Sequence, residues 1–294
     1  MSRAPFARNA FVSARTRNEL IPSLQNENLW GAELSYLWRS PNLKFKASAY
    51  INEINDRAEI LNFFIDDGLS ISEGLFFGNY IISNIDQRHL GVELAAEQKL
   101  TSSLNLTAAL SLGEYFYTDR FNADLAIDNQ AEFVIRDRTV FSKNFFVDGT
   151  SQNAAKVGLA FRGKNFWSVY LDVSYMSNFY IDFSPIRRTT NAIEFSNGSF
   201  VERDSELWED IINQEKIDAF VLVDLSVRKS WKLWKKYFLI ANLGVNNLLD
   251  NRDYITGGFE QLRFDFTGKD TDRFPSRYYY GLGLTYFANV TIRW

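Results

Sequence analysis

The chain has 294 residues, 46% hydrophobic and 16% aromatic, with no Cys, one His and a formal charge of −4. This acidic balance, with a pI near 5.3, argues against a nucleic-acid binder, which needs a basic face. The missing Cys and the lone His89 exclude thiolate and multi-histidine metal sites and leave one imidazole as a catalytic base.

Along the chain, Met1 to Arg8 has no apolar core of a signal peptide, and no apolar stretch reaches the roughly 18 residues of a membrane-crossing helix. Residues 28–39 then alternate, with Trp30, Ala32, Leu34, Tyr36 and Trp38 on one face and Gly31, Glu33, Ser35, Leu37 and Arg39 on the other. After Ser40-Pro41 the pattern repeats over residues 42–54, and again over 88–98 and 104–112. Less regular strands are expected near 153–162 and 236–246, and regular ones at 167–175, 221–227 and 280–294. That makes nine, several of them long against the usual five or six residues of soluble strands.

The connections alternate in length. Ser40-Pro41, Lys99 to Ser102, Gly163 to Asn165 and Ser230 to Lys235 are short, whereas residues 66–85, 118–151, 181–217 and 250–276 are long. Structureless loops beyond about 15 residues are uncommon in compact soluble domains. Long loops at every second connection fit an antiparallel transmembrane β-barrel, whose periplasmic turns are short and extracellular loops long, and whose strands are apolar outside and polar inside. A soluble β-sandwich would alternate with the same period, so the aromatic residues decide. Trp38, Trp167, Trp231, Trp234 and Trp294 flank short turns or the chain end, while Tyr115, Tyr117, Tyr180, Tyr278 and Tyr280 flank long loops, the two girdles of a barrel. Bacterial barrels normally have an even strand number. Nine strands ending in the periplasm put residues 1–27 outside the cell, as an extracellular loop or truncated strand remnant, with residues 28–294 as the C-terminal part of a longer barrel.

Four short motifs then resemble TonB-dependent outer-membrane receptors. Val245-Asn246-Asn247-Leu248-Leu249-Asp250-Asn251-Arg252-Asp253-Tyr254 is similar to their penultimate-strand signature. Tyr286 to Trp294 resembles their aromatic-ended closing strand, with Trp where Phe is commoner. Arg3-Ala4-Pro5-Phe6 resembles their Arg-Ala-Pro barrel motif, and Pro22 to Glu27 the element after it, with Gln25-Asn26 replacing Lys-Pro. The resemblance implies part of a barrel of about 22 strands, with plug and TonB-contacting segment belonging to the parent protein. It also implies a Bacteroidota-like, ligand-gated importer in the bacterial outer membrane, not an enzyme and without a cofactor. Its partners would be outer-membrane lipid, TonB through the parent's N-terminal region, a surface lipoprotein, and a small-molecule or oligomeric ligand such as a siderophore, cobalamin, glycan or peptide. A passive porin-like channel and a soluble antiparallel β binding module are the alternatives.

Ligand capture would fall to the long loops, with Arg187, Arg188, Trp208, Tyr254 and Phe259 as candidate contacts. The Arg187-Arg188 forks suit carboxylates, although salt bridges to loop acids are the plainer reading. Glu206 to Asn213 puts Leu207, Trp208 and Ile211 on one helical face, either as a lid over the bore or as a helix packed on its neighbours. The aromatic and arginine side chains of 118–151 suit a binding surface, against a solvated, self-paired loop. Asp250, Asp253 and Asp265 lack calcium-loop spacing, and His89 beside Glu93 reads as a wall hydrogen bond rather than a base. Gly268-Lys269 is followed by Asp270, so it reads as a turn and not a phosphate loop.

Overall fold

The computed structural model describes the chain except for residues 14, 17, 23, 66–75, 129–131 and 235. Ser23 of the Pro22 to Glu27 motif, residues 66–75 of the first long connection and Lys235 therefore lie outside the described residues. The strands in chain order are β1 (Ser2–Arg3), β2 (Glu27–Arg39), β3 (Leu43–Ile65), β4 (Phe76–Lys99), β5 (Leu104–Tyr117), β6 (Phe121–Ile127), β7 (Phe133–Val140) and β8 (Asn153–Gly163). They continue as β9 (Trp167–Ser177), β10 (Phe179–Tyr180), β11 (Lys216–Ile217), β12 (Phe220–Leu233), β13 (Tyr237–Asn246), β14 (Ile255–Phe259), β15 (Arg277–Tyr280) and β16 (Thr285–Arg293). Two short helices, α1 (Thr190–Ile193) and α2 (Glu206–Ile212), interrupt them.

One antiparallel sheet in the order β1-β2-β3-β4-β5-β8-β9-β12-β13-β16 forms a wall. All nine expected strands are in it, and the two-residue β1 adds to its edge. The register carries one face unbroken across the wall: Leu34 pairs with Ala49, Ala49 with Val92, Val92 with Leu112, Leu159 with Leu171, Leu171 with Leu225, and Leu243 with Ala288. The opposite face is tied by side-chain bonds, among them Ser35 to Ser48 (2.8 Å), Tyr50 to Tyr115 (2.6 Å), Lys44 to Glu97 (2.9 Å) and Asn242 to Asn289 (2.7 Å). Among the described residues no second sheet seals the apolar side. Leu34 is 79% and Ile292 59% exposed, and Leu106 and Leu171 are half-buried. This overturns the sandwich alternative, because a sandwich hides that face between layers.

The main hydrophobic core lies beyond the wall, at the long-loop end. Tyr80, Leu125, Val140, Ile186, Ala192 and Ile211 are completely or almost completely buried there, with Tyr117, Phe121, Phe183 and Phe264. Here the expectation of structureless loops fails. β3 runs on to Ile65 and β4 begins at Phe76, so residues 76–85 are strand, and β6 pairs with β4 while β7 pairs with β6. The two-residue rhythm is lost in these extensions because Ile81, Ile82 and Ile85 are all buried: loops cover both faces. Two register shifts between Ile54 and Glu59, with Asp56 and Asn84 at positive φ, add the bends expected of bulges. At the other end of the chain, residues 277–280 pair with β14 rather than continuing β16, so the last wall strand starts later than expected.

Candidate ligand-capture site

The polar face of the wall continues upward along β3 and β4, and a cavity of about 470 Å³ opens there. Arg57, Glu59 and Phe63 line its wall side, and Asp182, Phe183 and Phe259 close it from the loops. Two loop segments hold that closing side. Asp182 and Phe259 bridge in parallel, the Asp182 amide donates to the Gly258 carbonyl (3.0 Å), and the Glu260 amide donates to the Asp182 carbonyl (2.8 Å). Aromatic walls with a few convergent charged groups are the usual make-up of a small-molecule pocket.

Electrostatics single out Asp182. Asp182 keeps an exposed side in the open cavity, yet desolvation by the surrounding concavity, helped by repulsion from Asp148, Glu59 and Glu260, pushes its carboxyl up to about 7. Asp148 is raised as well, again mainly by burial.

The candidate contacts are not brought together. Phe259 lines the cavity and is 37% exposed. Arg188 is wholly buried: its guanidinium donates to Glu260 through two nitrogens, to the Ile212 carbonyl (3.1 Å) and to the Asn213 carbonyl (2.6 Å). Its own carbonyl accepts from the Phe141 amide (2.6 Å), so one residue ties three long loops. Arg187, 8% exposed, donates to the Asp210 carbonyl (2.6 Å) and lies over the Phe264 ring. Burial lowers its pKa, opposed by Glu260. Trp208 packs against the loop core on α2, whose N-terminus is capped by the Ser205 hydroxyl accepting from the Trp208 amide (3.2 Å). The helix expected at 206–213 is therefore a packing element of the loop core. Tyr254 sits elsewhere, its ring centroid 4.7 Å from that of Phe220.

The aromatic girdles divide. The register sets Trp38, Trp167 and Trp231 on the apolar face, 52%, 44% and 42% exposed, and Trp234 and Trp294 are more exposed still. At the long-loop end the expected residues depart from that face. Tyr115 and Tyr117 pair with His89 and Gln87 on the polar side, Tyr117 being buried in the loop core. Tyr180 stacks on Phe146, and Tyr278 donates to Glu215. Of that set, Tyr280 is exposed. Aromatic residues that do face outward there include Trp30, Phe116, Tyr175 and Tyr286. Strand parity, not nearness to a loop, was the signal for them.

The Asn247 turn explains the penultimate-strand motif. Asn247, at positive φ and 3% exposed, donates from its amide to Asp224 (2.9 Å) and from its side chain to the carbonyls of Asn251 (2.6 Å) and Leu282 (3.0 Å). Asp250 accepts from Arg252 and from the Leu284 amide (2.8 Å). These residues knot β13 to the connection preceding β16. Similarly, Lys269 is buried with its ammonium donating to the Asn191 carbonyl (2.9 Å), and Gly268-Lys269 is a turn on Asp265.

Comparison with known proteins places this geometry. The family model for the TonB dependent receptor-like β-barrel matches residues 3–248. No curated protein matches. Among solved structures, a copper transporter, OprC, superposes with a TM-score of 0.56 at 16% identity, over 98% of this chain and 35% of that one. The ferric-catecholate import receptor Fiu from K12 E. coli gives 0.53 at 13% identity, over 99% and 31%. The unliganded ferric citrate transporter FecA gives 0.50 at 14%, over 92% and 32%. The chain thus spans about a third of the length of these structures.

Proposed function

This chain belongs to the TonB-dependent receptor-like β-barrel family of the outer membrane, and from that premise we propose that it forms the C-terminal part of the barrel wall of a TonB-energised importer. Its solute is taken up first in the Phe259 cavity. In this reading Arg57, Glu59, Asp182 and Phe259 meet the solute, while Arg188, Arg187 and Trp208 keep the closing loops in place and Tyr254 supports β12. The cavity favours a small amphipathic solute: phenylalanine rings take an apolar body, and the charged groups select its polar end.

What carries the reading is the continuity of the polar wall face into that cavity, which gives a captured solute a path into the bore. The test is uptake by the intact receptor, with copper, a ferric catecholate and ferric citrate as the first panel. Phe259→Ala and Asp182→Asn are expected to weaken uptake of a transported member about tenfold, at unchanged outer-membrane abundance. Unchanged uptake in both variants would place capture elsewhere. TonB dependence is checked separately, by loss of uptake in a strain lacking TonB.

A further inference from the structure

Among the described residues the outward face of the ladder carries few charges, and all but one sit at the long-loop end. Glu53 and Arg88 form an ion pair there (2.6 Å), with Glu114 close by in the ladder. The exception is Lys229, on β12 near the short turns. Its ladder partners are Trp167 and Ala241, which fix it on the same face as Val169, Val227 and Leu239.

Lys229 turns its ammonium toward the short-turn end, where it donates to the Asn165 carbonyl. The ammonium nitrogen lies 4.9 Å from the Trp167 ring centroid and 5.9 Å from that of Trp231. A lysine whose stem lies along apolar surface and whose head rises to the interface is snorkelling, and indole faces hold a cation well. What the protein does not supply is an anion. Among the described residues no carboxylate pairs with Lys229, and the Asn165 carbonyl accepts from one of its three N–H groups. The indole N–H groups of Trp167 and Trp231 likewise have no protein acceptor among the described residues, and a half-exposed indole at an interface normally finds one. A cation and two indoles with unused donors therefore sit together where lipid headgroups begin.

We propose that Trp167, Lys229 and Trp231 form a seat for the phosphate of a phospholipid headgroup in the leaflet at the short turns. The inference rests on the apolar face looking outward, into hydrocarbon. The phosphate would take the two remaining ammonium N–H groups and an indole N–H, and its acyl chains would run over Val227, Val169 and Ala241. The small side chain of Ala241 leaves room beside the lysine stem.

The experiment uses the intact receptor in detergent, with bound lipid counted by native mass spectrometry after addition of dioleoyl phosphatidylglycerol. Wild-type receptor is expected to retain this lipid about five- to tenfold better than Lys229→Met, with Lys229→Arg close to wild type, and dioleoylglycerol is expected not to discriminate between them. Equal retention by wild type and Lys229→Met overturns the seat. A second measurement needs no variant: phosphatidylglycerol, but not dioleoylglycerol, is expected to protect Lys229 of the wild-type receptor from amine acylation. Equal protection by excess inorganic phosphate alone would make the ligand a free anion and overturn the lipid assignment. Flotation with lipid vesicles checks the premise independently, since Lys229→Met should still float while losing the retained lipid, and failure of the wild type to float would remove the premise itself.

Discussion

Asp182 makes the loop core sensitive to pH in a direction that can be worked out. Its surroundings push the carboxyl up to about 7 in the folded chain, from an ordinary value of 3.8. Between these values the folded state keeps a proton that the unfolded chain has released, so stability falls as pH rises from about 4 to about 7 and levels off above that. Asp148, also raised, slopes the same way. The thermal midpoint of the intact receptor is therefore expected to decline over that window, and Asp182→Asn to flatten the decline; an equally steep profile in the variant would exclude Asp182 as its source. Arg188 offers the sharper test. Truncation to Ala would leave buried Glu260 with only the more distant Arg187 (4.0 Å) as a cation and the carbonyls of Ile212 and Asn213 without the Arg188 donor, a loss of about 3 kcal/mol, the low end for a broken buried pair. Limited proteolysis should then cut within residues 181–217 much faster than in wild type. Little of this could be seen in the sequence. Arg187-Arg188 reads more plainly as a strut on loop acids than as a ligand clamp, but which acid it meets is hidden, since Glu260 lies 72 residues further on.

At the scale of elements, legibility follows from how many environments a strand meets. Where one face is apolar and the other polar, as in β2, β5, β9 and β12, side chains alternate and the strands stand out in the sequence. Where loops cover both faces, as at Ile81, Ile82 and Ile85 of β4, alternation disappears and the strand reads as connection. The same reasoning applies to the upper aromatic residues: Tyr115 and Tyr117 lie near a long loop but have inward parity, whereas Phe116 between them has outward parity. Inward parity also governs where glycine is needed. A Cβ at Gly91 would stand 2.7 Å from the Leu112 carbonyl oxygen and 2.7 Å from the Tyr50 hydroxyl, which is occupied with Tyr115. Gly91→Val is expected to break that tyrosine pair and destabilise the wall by about 1–3 kcal/mol, the usual penalty of overpacking. A lower temperature for the loss of the compact form on unboiled gels would register it; an unchanged temperature would mean that Tyr50 swings aside without cost.

For the whole molecule the decisive fact is that the wall does not close on itself. In the sheet order β16 is paired on one side, to β13, and the other end of the order is β1 on β2. In hydrocarbon an unpaired strand edge leaves backbone N–H and C=O groups without water to bind, at several kcal/mol each, and in water the same edges and the exposed apolar face template aggregation. Neither solvent suits such edges, and the proposed reading of the wall as one arc of a barrel of about 22 strands would give both of them partners. The isolated 294-residue chain, refolded in detergent, is accordingly expected to give a broad or irreversible thermal transition and concentration-dependent association, whereas the intact receptor should melt sharply. Circular dichroism near 218 nm, a wavelength at which strands absorb, with light scattering on the same sample, would decide it. A sharp, reversible and concentration-independent melt of the isolated chain would mean that its edges find partners within the chain itself, and the wall would then have to be a small closed barrel rather than an arc of a large one.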